Sequence, residues 1–310
     1  MLLVITPNPS LDRTMVFPDL RLGGVHRTDE VLVTAGGKGL NVARAARTLG
    51  QAALVCGPLS GHTGEHVAHL AAEEGLLCRW TSHGAGETRT CILVVNPAGG
   101  DATVLNEAGP TLGPRPWAAF TNDVLDASAS ADLCLLSGSV PPGVPAAALG
   151  DLAVALQALG RRVLVDTSGP ALAAVVAARV WGVKVNATEA GALLGRPITD
   201  VRAAQVAVNE LRAQGVELAL VSLGALGCVA ASAAGCWWAR PPLVPVVSSV
   251  GSGDTLLAGL ATGLLRGMPL PEALRLGVAC GTADVLTAEP GRIALAEVER
   301  LAADVVVEAL

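Results

Sequence analysis

The feature that most restricts this chain is the order of its apolar segments between residues 133 and 223. Short apolar runs of strand length alternate there with longer stretches of helical periodicity. Residues 133–136, 163–166, 183–185 and 218–223 read as strands, and 146–159, 171–178, 188–194 and 201–214 as helices. The strands are apolar on both sides, as in a parallel sheet covered on both faces, so an α/β fold with a central, mostly parallel sheet and helices on both faces is expected. Ligands of such folds sit at the carboxyl ends of the strands, which directs attention to polar residues just after each apolar run. Residues 218–239 carry no charge over 22 positions, long enough for a membrane span. Glycines and serines interrupt that run, which splits at 224–227 and 233–235 into strand-length pieces, so no membrane partner is expected.

The first third is patterned differently. An apolar start at 2–5 is broken by Pro7 and Pro9 and has no basic region before it, which does not fit a secretion signal. Segments 13–34 and 88–106 are β-rich, the second with a hairpin turn expected at 97–101, and helices are expected at 40–49 and 64–74. The simplest arrangement is a single domain over 1–310, with a small β lid formed by the insertions at about 13–34 and 88–106. Hydrophobic residues make up 51% and charged residues 15%, which excludes intrinsic disorder. A net charge of −6, no tyrosine and only seven aromatics argue against a nucleic-acid partner. Seven cysteines without a CxxC pair point to buried thiols in a reducing compartment, so the protein is expected to be cytoplasmic. His62, His66 and His69 have helical spacing but no metal-ligand partners in sequence, and read as a solvated helix face.

Chemistry concentrates in a few places. Gly251-Ser252-Gly253-Asp254 precedes a helix expected at about 254–266, and free backbone amides at a helix N-terminus suit a phosphate. Asp254 there is either an ordinary N-cap or a base that takes a proton from an attacking hydroxyl. The chain carries nineteen arginines but only two lysines, Lys38 and Lys184. Lys38 lies in Gly36-Gly37-Lys38-Gly39-Leu40-Asn41, which departs from a Walker A loop, and it is either a solvated lysine at a bend or, with Asn41, a ligand-facing pair. Asn8 and Asp12 flank a turn or bind a sugar hydroxyl. Arg89 is a surface charge or a phosphate clamp, and Ser137-Gly138-Ser139 a rigid turn or a ligand edge. Lys184-Val185-Asn186 with Glu189 offers an amide and a carboxylate suited to a hydrated magnesium ion.

These residues resemble a known family. GGKGLNVARAARTLG and SSVGSGDTLLAG are similar to the two signatures of the ribokinase-type (PfkB) sugar kinases. ITPNPSLDRTM, ETRTCI, LSGSVPPGVP, LVDTSGPAL, VSLGALG and ALRLGVACGTADVLT extend the resemblance along the chain, toward the branch of 1-phosphofructokinases and tagatose-6-phosphate kinases. It implies a ribokinase-like fold and ATP- and Mg²⁺-dependent phosphorylation of a phosphorylated ketohexose, fructose 1-phosphate giving fructose 1,6-bisphosphate. Tagatose 6-phosphate and fructose 6-phosphate are the alternatives within the class. Asp254 would be the base, and the amides of Gly251, Ser252 and Gly253 the anion hole. Asp12, Gly37, Lys38 and Asn41 would hold the sugar, Arg89 its phosphate, with Ser137 and Gly138 nearby. Lys184, Asn186, Glu189, Ser222, Gly224 and Gly227 would line the nucleotide side, with Asn186 and Glu189 on the metal through water. The resemblance also implies a homodimer through the lid, with Arg27 reaching the neighbouring subunit's site. Val185 and Ser252 depart from the usual proline and alanine of the motifs. A non-catalytic sugar-phosphate sensor is the alternative of another class, and Asp254 argues against it, because a carboxylate placed against phosphate would only weaken binding.

Overall fold

The structure, a computed structural model, describes residues 1–18, 20–84, 86–96 and 101–310. Ten strands form one sheet. Seven are parallel, in the order β5 (Leu77–Ser82), β4 (Ala53–Leu59), β1 (Leu2–Ile5), β8 (Leu133–Ser137), β9 (Arg162–Asp166), β10 (Gly182–Asn186) and β11 (Leu218–Ser222). Three antiparallel strands, β12 (Cys228–Ser232), β13 (Gly235–Arg240) and β14 (Val306–Ala309), extend the β11 edge.

Each central strand divides its side chains between two cores, as the two-residue period requires. Leu2 and Val4 pack with α1 (Lys38–Thr48), α8 (Ser252–Leu265), α9 (Leu270–Asp284) and α10 (Leu295–Asp304). Leu3 and Ile5 pack with α3 (Pro114–Ala127), α4 (Ala147–Ala158), α5 (Gly169–Ala177) and α7 (Val201–Ala213). Both faces are thus covered, which is why these strands read as unbroken apolar runs. Each fully buried leucine or valine contributes about 1.5–3 kcal/mol of burial.

A second sheet of four strands, β3-β2-β6-β7, is built from β2 (Ser10–Val16), β3 (Val31–Gly36), β6 (Arg89–Asn96) and β7 (Asp101–Asn106). β6 and β7 pair antiparallel, while the expected turn between them falls on residues 97–100, outside the described residues. The first strand starts at Ser10, so Asp12 lies inside a strand instead of beside a turn. Helix α8 begins at Ser252, two residues before the expected start, so Ser252 and Gly253 belong to its first turn. His62, His66 and His69 are exposed on α2 (Gly61–Glu73). All seven cysteines are unpaired, five of them buried. Among the described residues no helix is long and apolar enough to cross a membrane.

Helices α8 and α9 approach closely because glycines face each other across the contact. A Cβ on Gly259 would lie 2.7 Å from Gly277 Cα, and one on Gly277 would lie 2.8 Å from the Leu256 carbonyl oxygen. Since those partners are backbone, the helices must separate to admit a side chain. Gly259→Val should destabilise the protein by about 1–3 kcal/mol, the usual cost of overpacking. A urea midpoint equal to that of the unsubstituted chain would contradict this packing.

Candidate active site

The carboxyl ends of the parallel strands and the N-terminus of α8 open onto one cleft of about 630 Å³, and the small sheet forms its facing wall. Asn8 follows β1, Gly138 and Ser139 follow β8, Thr167 and Ser168 follow β9, and Asn186 and Ser222 end β10 and β11. From the small sheet come Asp12, Arg89, Cys91, Leu93, Val104 and Asn106.

At the centre stands Asp254, 7% exposed, in the first turn of α8. Gly251 before it adopts φ +95°, a left-handed conformation that favours glycine, and places its carbonyl to accept from the Asp254 and Thr255 amides. The amides of Gly251 and Gly253 find no acceptor among the described residues and head the helix toward the cleft. One Asp254 oxygen accepts from Asn41 Nδ2 at 2.9 Å. Burial pushes the Asp254 carboxyl up to about 6, raised further by Asp166 and opposed by Lys38, Lys184 and the Asn41 bond.

The two lysines meet on a third residue. Asp166, fully buried at the end of β9, accepts from Lys38 Nζ on Oδ1 and from Lys184 Nζ on Oδ2, each at 2.7 Å. Burial alone would raise the Asp166 carboxyl, but the Lys184 and Lys38 ammoniums outweigh it and hold it below the usual carboxylate range. Burial likewise works against the Lys38 ammonium, which Asp166 and then Asp254 hold above the ordinary lysine range. The Lys184 ammonium sits against the start of α8: a Cβ on Gly253 would come within 2.8 Å of its Nζ.

Asp12 lines the small-sheet wall and accepts from Ser10 Oγ at 2.6 Å and, more weakly, from the Gly37 amide at 3.3 Å; burial raises its carboxyl. Arg89 donates from Nε to the Asn8 carbonyl and from Nη1 to the Glu107 carbonyl, and among the described residues Nη2 has no partner; the residue lines the cleft. Asn186 and Glu189 are together for a structural reason: Asn186 Oδ1 accepts from the Glu189 amide and Glu189 Oε2 from the Asn186 amide, a capping box on α6 (Ala187–Leu194). Both residues line the cleft, and an amide oxygen and a carboxylate are the right donor chemistry for a hard cation that keeps most of its waters. Among the described residues no cluster of three or more His, Cys, Asp or Glu could hold a metal alone.

A model of pfkB family carbohydrate kinases matches residues 6–294. The chain belongs to this family. It is 36% identical over 278 residues to the 1-phosphofructokinase of Rhodobacter capsulatus, covering 89% of this chain and 87% of that protein. Identity is also 36%, over 287 residues and 91% of each chain, with the ATP-dependent 6-phosphofructokinase isozyme 2 of Escherichia coli. The solved structure of the tetrameric inhibited form of phosphofructokinase-2 from Escherichia coli superposes with a TM-score of 0.89 at 31% identity, covering 98% of both chains. As a carbohydrate kinase of the pfkB family, the protein is a phosphotransferase with an alcohol acceptor.

Of the residues marked in the sequence of this pfkB kinase, the cleft gathers Asp12, Gly37, Lys38, Asn41, Arg89, Gly138, Lys184, Asn186, Glu189, Ser222, Gly224 and Gly251 through Asp254. Three lie elsewhere. Ser137, the last residue of β8, is wholly buried, and Ser139 takes the place at the rim, accepting from Asn8 Nδ2. Gly227 lines a neighbouring apolar recess with Pro241, Pro242, Val244 and Val285, which joins the main cleft at Ser222 and Gly224. Arg27 is exposed on the loop between β2 and β3 and does not line this chain's cleft. Sequence reasoning missed Asp166. The signal was present, since two isolated lysines, one just after β3 and one inside the apolar run of β10, call for a buried carboxylate between them, and β9 ends in one.

Asp166→Asn should leave Lys184, 3% exposed, without its anionic partner. Breaking a buried pair from one side costs about 3–5 kcal/mol. The unfolding free energy from denaturant titration should fall accordingly, and an unchanged value would contradict the bridging role.

Proposed function

We propose that this kinase transfers the terminal phosphoryl group of ATP to fructose 1-phosphate, giving fructose 1,6-bisphosphate and ADP. The observation that carries the reading is the grouping of Asp254, the unengaged amides at the start of α8 and the paired ammoniums of Lys38 and Lys184 at the middle of one cleft. Arg89 stands toward the small sheet, and an apolar recess adjoins the opposite end.

In this reading Asp12, Asn41 and the Gly37 backbone hold the sugar hydroxyls, and Arg89 Nη2 holds the phosphate already on the sugar. A guanidinium with a free planar edge is well suited to a phosphate. Asp254 takes the proton of the 6-hydroxyl as its oxygen forms the bond to phosphorus. The bond from phosphorus to the ADP oxygen breaks, and ADP leaves with that electron pair. The amides of Gly251 and Gly253, with Ser252 beside them, stabilise charge on the transferring group, and Lys38 and Lys184 add fixed positive charge. Gly224 and Gly227 leave space for the nucleotide in the recess lined by Pro241 and Val244. Asn186 and Glu189 would hold magnesium through water, and the ion would neutralise part of the charge on the nucleotide phosphates.

The protein works as a homodimer in this account. The face of the small sheet turned away from the cleft exposes Val31 and Leu105 (38% and 55% exposed), a surface that a second copy would cover, and Arg27 would then reach the neighbouring cleft. A second reading, phosphorylation of fructose 6-phosphate, is favoured by the equal identity to the Escherichia coli 6-phosphofructokinase. Tagatose 6-phosphate tests the breadth of the site.

The test is ATP turnover against the three sugar phosphates. Fructose 1-phosphate should be preferred, and Asp254→Asn should lower turnover by roughly 10²–10⁴ while nucleotide binding persists. Undiminished turnover in that variant would remove the base from the account, and preference for fructose 6-phosphate would establish the second reading. Because burial raises the Asp254 carboxyl and the base must be ionised, kcat/KM should fall as the pH drops through about 6. A rate independent of pH between 5 and 8 (a window of about three units around that value) would contradict the role. Arg89→Ala should raise KM for the sugar phosphate far more than for ATP, and equal effects on both would argue against the clamp.

A further inference from the structure

Arg44 lies on α1 one turn beyond Asn41 and is 6% exposed. All five of its N–H groups are engaged. Nε donates to Glu74 Oε2, Nη1 to Asn41 Oδ1 at 3.0 Å and the Pro290 carbonyl at 3.2 Å, and Nη2 to the Ala35 carbonyl at 2.7 Å and Glu74 Oε1 at 3.0 Å. The guanidinium therefore joins the end of β3, the C-terminal end of α2, the loop after α9 and the side chain of Asn41. None of these atoms takes part in the chemistry, yet Asn41 donates directly to Asp254.

We propose that Arg44 is a positioning residue: its guanidinium fixes the Asn41 amide so that the amide nitrogen, and not the oxygen, faces the Asp254 carboxylate. The inference rests on reading Asp254 as the base. A guanidinium has donors and no acceptor, so only the amide oxygen of Asn41 can satisfy it. The nitrogen then lies on the Asp254 side, where one N–H is donated to the carboxylate and the other is left for a sugar hydroxyl. Glu74, 14% exposed at its side chain, holds the guanidinium in a two-point contact that sets its plane. Gly291 packs on the backbone of the same asparagine, where a Cβ would come within 2.8 Å of Asn41 Cα, so the main chain that carries the amide is held as well.

The consequence is chemical. An amide N–H donated to a carboxylate favours its ionised form, whereas an amide oxygen turned to the same place favours the protonated acid. Asp254 also faces Lys38 from α1, Lys184 from β10, Asp166 from β9 and Asp284 from α9. Those groups set the baseline, and Arg44 decides which end of Asn41 is added to it.

The test compares the acid limb of kcat/KM in the intact enzyme and in Arg44→Met/Glu74→Met, which removes both halves of the buried pair and leaves no orphan charge. The limb should move to higher pH, with turnover at neutral pH lower by about tenfold, the loss of one oriented hydrogen bond. Glu74→Gln, which keeps Arg44 and a neutral acceptor, should move the limb in the same direction by less. With Asn41→Ala as background, adding the Arg44→Met/Glu74→Met pair should move the limb no further. A limb that stays in place in both the pair and Glu74→Gln overturns the proposal, as does an equal shift when Asn41 is already gone. A purely structural role would change stability without moving the limb. Failure of the base reading appears separately, as turnover surviving Asp254→Asn.

Discussion

A carboxylate with no solvent exposure stays ionised only if nearby cations or hydrogen-bond donors offset the lost hydration. Asp166 meets that condition with the two lysines of the chain, one from the start of α1 and one from the middle of the sheet. The arrangement fixes two ammoniums at a spacing that side chains as long and flexible as lysine would not hold by themselves. It also ties the segment that follows the small sheet to the strand that leads into α6. A chain that uses arginine almost everywhere keeps lysine where a compact charge must fit against the backbone of α8, beside Gly253.

Around this pair the cleft collects charges of both signs, and their balance accounts for the state of Asp254. Burial and the neighbouring Asp166 raise it; the lysines and Asn41 pull it back. A carboxyl held near the middle of the range suits a group that must be ionised before it accepts a proton. The glycine contact between α8 and α9 serves the same end from outside the cleft, because α8 carries both the amides and the carboxylate, and its seat against α9 fixes their depth.

The alternation of strands and helices after residue 130 was readable because both cores are apolar and the period is regular, as at Leu133–Ser137 and Arg162–Asp166. Other elements were hidden by local chemistry. Gly57 and Pro58 interrupt β4, Pro114 and Pro116 open α3, and Pro269 and Pro271 open α9. The prolines of α3 and α9 look like breakers until their place at a helix N-terminus is known, and Pro58 looks like one inside a strand. Most cleft residues were legible from motifs that follow strands, while Ser137 was misplaced by the burial of the last residue of β8. Asp166 and Arg44 were passed over because deciding partners are remote in sequence: Lys184 and Lys38 lie 18 and 128 positions from Asp166, and Glu74 and Pro290 lie 30 and 246 positions from Arg44. The spacing of Asn186 and Glu189 has a second cause, the capping box of α6, which a motif alone does not reveal.

The central claim is that the acceptor hydroxyl and the transferring phosphoryl group meet between Asp254 and the first amides of α8. The most direct measurement is a crystal structure with fructose 1-phosphate and a non-hydrolysable ATP analogue bound together. The account predicts the 6-hydroxyl within hydrogen-bonding distance of Asp254, the terminal phosphate of the analogue at the Gly251 and Gly253 amides, and the sugar's own phosphate on Arg89. A terminal phosphate seated away from α8, or a sugar whose hydroxyls all lie beyond reach of Asp254, would contradict it.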